Sequence, residues 1–383
     1  MPQRVFLHIG VPKTGTTFLQ GVLWSQRDRA ASQGLHLPLR SMHDHFLGSL
    51  DVRGLGGKPP HPADSAGAWD RLVEATRAHD GTVLISHELL SAASADQARK
   101  AVGWFGSDLE VHLVVTARDL LRQVTAEWQE HVKHRNTVSL EEFVRRVRDG
   151  APERKGWFWL VQDYPGILQR WGSRLPASRL HVVTVPPKGA ASDELWNRFA
   201  GVLGLDAGSF DLDASRANTS LGREQTEVLR QVNAALGDRL PFPGPYPAVA
   251  KDVLAHGALA GRAGQRLTLT DDDVAFARAE GARMVEQLDA LGADVVGSLD
   301  DLLPSDEAAA AATSPEAYAV PGTDAMLTES VSAIADLLVA LSEEKAEVGR
   351  LRGELDGLRG RGTREALRDA AGAARRRIGY PKR

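Results

Sequence analysis

Short apolar runs alternate with helical patterns over most of the chain. Residues 5–9 (VFLHI), 83–86 (VLIS), 111–116 (VHLVVT) and 180–185 (LHVVTV) are largely unbroken apolar stretches. Such runs, unlike strictly alternating ones, predict strands covered on both faces. Helical periodicity fills the intervals at 17–24, 68–79, 120–134, 167–174 and 193–203. Ser139 and Glu142 are spaced as a capping box that opens LEEFVRRVRD. This alternation predicts an α/β fold with a mainly parallel central sheet flanked by helices. Residues 223–236 and 271–291 read as helices only and are expected on the outside or as a cap. The run Asp271, Asp272, Asp273 opens the second of them, where carboxylates meet the positive end of the helix dipole, so it reads as capping and not as a metal site.

Charge divides the chain. Between 305 and 347 there are nine acidic residues and one basic; from 359 to 383 there are nine basic and two acidic. This break predicts a globular body over 1–304, a linker over 305–325 and a helical tail over 326–383. The linker is small, polar and interrupted by proline, with no apolar periodicity. In the tail, Ile334, Leu341, Val348 and Leu355 recur every seven residues, with Leu337, Leu351 and Leu358 between them. That seam predicts a coiled coil and self-association through the C-terminal helix, although Gly349, Gly353 and Gly357 weaken it. A helix folded back on the body is the alternative. The basic end is expected to make at most weak contact with an anionic membrane surface or an acidic partner.

The 383 residues are 43% apolar and 25% charged, which excludes wholesale disorder and a collagen-like fibre. A net charge of −4 argues against bulk binding of nucleic acid. The absence of cysteine excludes disulfides, thiolate zinc sites, iron–sulfur clusters and cysteine nucleophiles. No unbroken run reaches the roughly 18 apolar residues of a spanning helix. The start, MPQRVFLHIG, is too short an apolar stretch for a signal peptide, so a cytoplasmic location is expected.

The chemistry concentrates where strands end. The first strand runs into Gly10-Val-Pro-Lys-Thr-Gly-Thr-Thr17 and then a helix. A strand, a glycine-containing loop and a helix start together form a layout that holds phosphate, because loop N–H groups and the positive helix end converge on the anion. Against the pattern G-x-x-x-x-G-K-[ST], Gly10, Gly15 and Thr17 fit, but Thr16 stands at the lysine position and the lysine sits inside the loop as Lys13. The plainer alternative is a helix start at which glycine turns and threonine caps.

PKTGTT resembles the 5′-phosphosulfate loop of the sulfotransferases that use 3′-phosphoadenosine 5′-phosphosulfate (PAPS). The resemblance implies a sheet of the P-loop NTPase type, PAPS as sulfuryl donor, adenosine 3′,5′-bisphosphate as product and no metal. It implies that Lys13 stabilises charge on the bridging oxygen, while Thr14, Gly15, Thr16 and Thr17 hold the 5′-phosphate. The second strand ends Val-Leu-Ile-Ser-His-Glu88, similar to the family's I-K-[ST]-H motif, with Ile85 in place of its lysine. By that similarity His87 is the general base for the acceptor, and Glu88 is its rival, since other branches of the superfamily use glutamate. An imidazole titrating near neutrality suits the task. The structural alternative makes His87 a neighbour of a helix cap. The third strand ends at Arg118, where the family has an arginine for the 3′-phosphate and a serine eight residues on. That position is Ala126; Thr125, about 100° round the helix, is the nearest substitute. Arg122, one turn beyond Arg118, is another donor within reach. A solvent-facing charge is the alternative for Arg118.

Three motifs in order cover roughly residues 1–220. The late glycine-rich segment over the 3′-phosphate has no clear match, and residues 216–220 (RANTS) are its weak stand-in. The acceptor is open: small molecule, lipid head group, carbohydrate or protein tyrosine. A P-loop kinase or nucleotide-binding regulator is the alternative function, and an assembly protein with a vestigial loop is a third. His43 and His45 flank Asp44, but with no third ligand in sight they read as a substrate-contacting loop or plain surface. Trp157, Phe158, Trp159 and Tyr164 read as core more readily than as an acceptor pocket.

Overall fold

The computed structural model describes residues 4–213 and 220–377, and of the side chains beyond 357 only that of residue 359. Six strands, β1 (Arg4–Gly10), β2 (Leu35–His36), β3 (Thr82–Ser86), β4 (Glu110–Ala117), β5 (Leu180–Thr184) and β6 (Asp294–Val296), form one sheet in the order β2-β3-β1-β4-β5-β6. Every pairing is parallel. The chain is thus an α/β protein with a central parallel sheet flanked by helices and a long C-terminal helix.

The apolar runs are unbroken because both faces of the sheet are covered. Val5, Leu7 and Ile9 of β1 enter one core cluster with Trp128, Trp159 and Trp171. Phe6 enters the other, with Leu19, Trp196 and Phe199. Residues 111, 113 and 115 of β4 join the first cluster and Val114 the second, as a period of two requires. Carboxyl ends of the adjacent strands β3, β1 and β4 therefore meet along one edge, where open α/β sheets place their ligands.

The helix Thr16–Ser25 follows β1, and Leu120–Lys133 follows β4. The latter starts on Asp119, whose carboxylate accepts from the Arg122 N–H at 2.9 Å. Ser139 caps Leu140–Gly150 through the Glu142 N–H, but the Glu142 carboxylate turns to Arg145 and Arg146, so only half of the expected capping box forms.

Three regions differ from the sequence expectation. After the helix Asp271–Ala290 the chain returns to the sheet as β6, beside β5, so this part is not helical only. β2 and β6 are two and three residues long, too short to leave a periodic signal. The segment expected as a linker carries a helix, Asp306–Ala311, and lies on the body. Leu269 N–H donates to Ala312 O at 2.8 Å, Ala309 and Ala317 are buried, and Tyr318 Oη donates to Asp273. Small alanine side chains allow that close approach.

The final helix, Thr323–Arg377, buries Ala333 and packs Met326 and Leu337 against the main core. Ile334, Leu341, Val348, Leu351 and Leu355 are exposed. Interspersed acidic residues hide its apolar content in a search for unbroken runs. Over Thr323–Gly357 the helix is nonetheless long and apolar enough to cross a membrane by length and composition, which corrects the earlier exclusion on that criterion alone.

Candidate functional site

The loop after β1 is held in an unusual shape. Gly10, Lys13 and Gly15 all have positive φ, at 90°, 65° and 88°. At Gly10 a Cβ would lie 2.7 Å from the Glu88 Cβ, so only glycine lets the strand ends come this close. Lys13 is not a glycine, and its left-handed conformation is strained. Its surroundings fix it. Gln123 and Gln162 donate side-chain amides to Pro12 O at 2.9 and 3.2 Å, and Arg118 Nη1 donates to Lys13 O at 3.2 Å.

Beneath the loop lies a buried polar layer. Thr14 turns inward, with Oγ1 bonded to Val11 O and to Thr116 Oγ1, each at 2.5 Å. His8 bridges Ser86 Oγ at 2.8 Å and Thr116 Oγ1 at 3.4 Å. His45 accepts from the Ser86 N–H at 3.2 Å. Burial lowers both imidazoles to about 4, so both are neutral at pH 7. His45 is thereby a buried support of β3, on the helix Met42–Val52, and neither loop nor surface. No group of three potential metal ligands occurs among the described residues.

Above the loop opens a cavity of about 730 Å³. Lys13, Gly15, Thr16, Thr17, Glu88 and Arg118 line it together. Of the residues expected at the 5′-phosphate, only the Thr14 side chain points elsewhere. Arg118 is half-buried and lines the cavity. Desolvation lowers it to about 10, still fully cationic at pH 7. Its Nε is buried without a hydrogen-bond partner among the described residues. Ala126 lines the cavity and Thr125 does not; the threonine hydroxyl donates to Arg122 O at 3.3 Å. The 100° step that put this substitution in question thus separates the two residues. Arg122 is committed to Asp119 and to Pro186 O.

β3 stops at Ser86, His87 remains extended, and a tight helical turn, Glu88–Ala92, begins at the glutamate. This turn sends the two side chains apart. The His87 ring caps it, with Nδ1 accepting from the Leu89 N–H at 3.2 Å, and lies 5.5 Å from the Phe46 ring. It is outside the cavity lining, whereas Glu88 is within it. Burial lowers the His87 pKa, with Arg53 and His43 acting in the same direction. Burial would raise Glu88, but the charge of the neighbouring His87 and hydrogen bonds from its own backbone and Gln20 outweigh this and hold it below the ordinary carboxylate range.

Sequence reasoning missed one wall of the cavity, supplied by Glu127, Glu130, His131, Lys133 and His134 of the helix Leu120–Lys133 and its end. Lys13 Nζ donates to Glu130 Oε2 at 2.7 Å, and Lys251 Nζ to Glu130 Oε1 at 2.8 Å. Burial opposes ionisation of Glu130, yet Lys13 and Lys251 overcome it and depress its pKa strongly. Glu127, one turn back, accepts from Gln162 Nε2 at 2.6 Å, and burial raises it to about 7. The spacing of 127, 130, 131 and 134 along one helical face was a readable signal. Lys251 was not readable, since it arrives from 121 positions away on the wide helix Pro247–Leu259. Trp157 lines the cavity, while Phe158, Trp159 and Tyr164 are core. Ser220 lies in the lining; residues 216–219, the weak stand-in for the 3′-phosphate segment, lie outside the described residues.

A scan against protein-family models finds no match, and a search of curated proteins finds none either. Among solved structures the chain is similar to a sulfotransferase from Alicyclobacillus acidocaldarius, at 15% identity and a TM-score of 0.37. The match covers 66% of this chain and 95% of that one. A likeness so distant carries nothing about activity or ligand.

Proposed function

We propose that the protein transfers a sulfuryl group from PAPS to an acceptor hydroxyl or amine by in-line displacement. The observation that carries this reading is the convergence of Lys13 and the half-buried Arg118 on one cavity. Two fixed cations and the helix start at Thr16 suit a ligand with phosphate at both ends. A phosphate at the 3′ position would pair with the charge of the Arg118 guanidinium. Ala126 contributes no hydroxyl there, so Arg118 bears more of the selectivity for a 3′-phosphate.

The donor supplies an activated sulfur. Its bond to the 5′-phosphate oxygen breaks as the acceptor oxygen or nitrogen attacks. The Lys13 ammonium meets the negative charge that grows on the departing oxygen, and such preplaced cations act mainly in the transition state. Glu88 accepts the acceptor's proton. It is ionised at pH 7, lines the cavity, and is braced by Gln20 Nε2 at 3.4 Å. His87, the first choice from the motif, supports it from behind as the cap of the same turn.

A nucleotide kinase is the competing reading, and Thr16 at the usual lysine position argues against it. Thermal unfolding in the presence of each nucleotide decides between them, because a ligand that binds only the folded state raises the melting temperature. Adenosine 3′,5′-bisphosphate raises it on this account. Stabilisation by ATP–Mg²⁺ alone contradicts it.

A further inference from the structure

The far wall of the cavity holds more positive charge than the loop chemistry uses. Lys133 is only 7% exposed. It lines the cavity and makes no ion pair or hydrogen bond among the described residues. Lys251 and His256 line the same wall from the wide helix Pro247–Leu259. Lys251 commits two of its donors, to Glu130 and to His134 Nε2 at 2.9 Å, and an ammonium has three. Around the single carboxylate of Glu130 stand three ammonium groups, Lys13, Lys133 and Lys251. Glu127 is about half ionised at pH 7, since burial raises it to about 7, so positive charge still predominates. Desolvation, with Lys13 and Lys251 adding to it, lowers Lys133 to about 8, so it stays cationic at pH 7.

This cluster is separate from Arg118: Lys133 ends the helix that begins just after Arg118, about 20 Å along its axis. The charges acting on Lys133 are Lys13, Glu130 and Lys251, and those acting on His256 are Lys133, Lys251, Glu130 and Asp252. Arg118 feels Arg122 and Asp119 instead. Lys13 marks the reacting end of the donor and Arg118 its 3′ end. The cluster borders the reacting end, where an acceptor must enter.

We propose that Lys133 and Lys251, with His256, form a second anion subsite that binds a phosphate, sulfate or carboxylate group carried by the acceptor. The anion subsite stands on the lining residues alone; that its ligand is the acceptor, entering at the reacting end, rests on the sulfuryl-transfer reading. A nearly buried, unpaired ammonium is costly, and an anion placed against it offsets that cost. The substrate class is therefore an already anionic alcohol or amine. Trp157 at the cavity wall offers an apolar surface for its body.

The test is calorimetric titration of inorganic sulfate into protein saturated with adenosine 3′,5′-bisphosphate, which keeps the phosphate loop filled. Wild-type protein should bind sulfate, and Lys251→Gln and Lys133→Met should each weaken it at least ~10-fold, as for loss of a hydrogen bond to a charged group. Their bisphosphate affinity should stay within about twofold of wild type, the scatter of an unrelated surface change. Absent sulfate binding, equal binding by the variants, or a matching loss of bisphosphate affinity overturns the proposal. If Lys133→Met does not fold, Lys251→Gln decides alone, because that side chain is partly exposed and its removal leaves Glu130 paired with Lys13. If wild-type protein fails to bind the bisphosphate, the sulfuryl-transfer reading falls. Sulfate titrated into free protein then decides the subsite: dependence on Lys251 sustains it, and independence overturns it.

Discussion

Lys13 Nζ meets Glu130 Oε2 at 2.7 Å, across 117 positions of sequence, while the other oxygen of that carboxylate holds Lys251 at 2.8 Å. An ammonium has three donors, so Lys13 meets an anionic ligand while it keeps its bond to Glu130. Lys13→Ala should accordingly lower turnover by ~10²–10³-fold, as for other charge-stabilising donors, and weaken bisphosphate binding far less. Single-turnover release of sulfate from PAPS, beside calorimetric Kd values, measures both. Intact turnover with weakened binding would remove Lys13 from the chemistry.

Glu88 and His87 part at the turn that begins with Glu88, and only Glu88 reaches the cavity. Glu88→Gln should cost ~10²-fold or more of turnover, the usual contribution of a general base. His87→Ala should chiefly lower stability, by about 1 kcal/mol, as for loss of a cap. Rate measurements on both variants with a working acceptor distinguish them. A dead His87→Ala beside an active Glu88→Gln reverses the assignment.

Glu127 links the site to pH. Burial raises its pKa to about 7, above the ordinary 4.5 of an unfolded glutamate. Its contribution to stability is therefore fully present below 4.5 and is lost as pH rises through about 7. His8 and His45 have the opposite sign. Their folded values near 4 lie below the ordinary 6.5, so their contribution is present above 6.5 and is lost as pH falls through 4. Glu127→Gln leaves the histidine effect unchanged. The melting temperature of this variant should gain on wild type between about pH 5 and pH 8. A difference that stays constant with pH would mean that Glu127 ionises normally.

Gly10 combines a φ of 90° with a Cβ position 2.7 Å from the Glu88 Cβ. Gly10→Ala should cost more than ~2 kcal/mol through strain and clash together. Gly34 has a φ of 85° and nothing within 4 Å of its Cβ position. Gly34→Ala should cost only ~1 kcal/mol, the conformational part alone. Urea unfolding of the two variants checks the comparison, and equal losses would show that proximity to Glu88 is unimportant.

The four long strands, the phosphate loop and Arg118 were legible because each leaves a local mark: an unbroken apolar run, a glycine pair, a charge at a strand end. Two other features depend on geometry that no local pattern encodes. The choice between His87 and Glu88 turns on where β3 stops, and one residue of difference exchanges their directions. The Lys13–Glu130–Lys251 group joins three segments far apart in sequence, and only the tertiary fold brings them together. Segment 305–325 looked like a linker because its alanines and prolines lack periodicity, yet Ala309 and Ala317 are buried.

The central claim is that Arg118 and the phosphate loop together bind a nucleotide phosphorylated at both ends. Calorimetric titration of adenosine 3′,5′-bisphosphate and of 5′-AMP, into wild-type protein and Arg118→Ala, tests it most directly. In wild type the bisphosphate should bind ~30-fold or more tightly than 5′-AMP, the worth of charged hydrogen bonds to a 3′-phosphate. In Arg118→Ala the two ligands should bind alike, near the wild-type affinity for 5′-AMP. Equal affinity of wild type for both nucleotides, or an equal loss of both in the variant, would contradict the account.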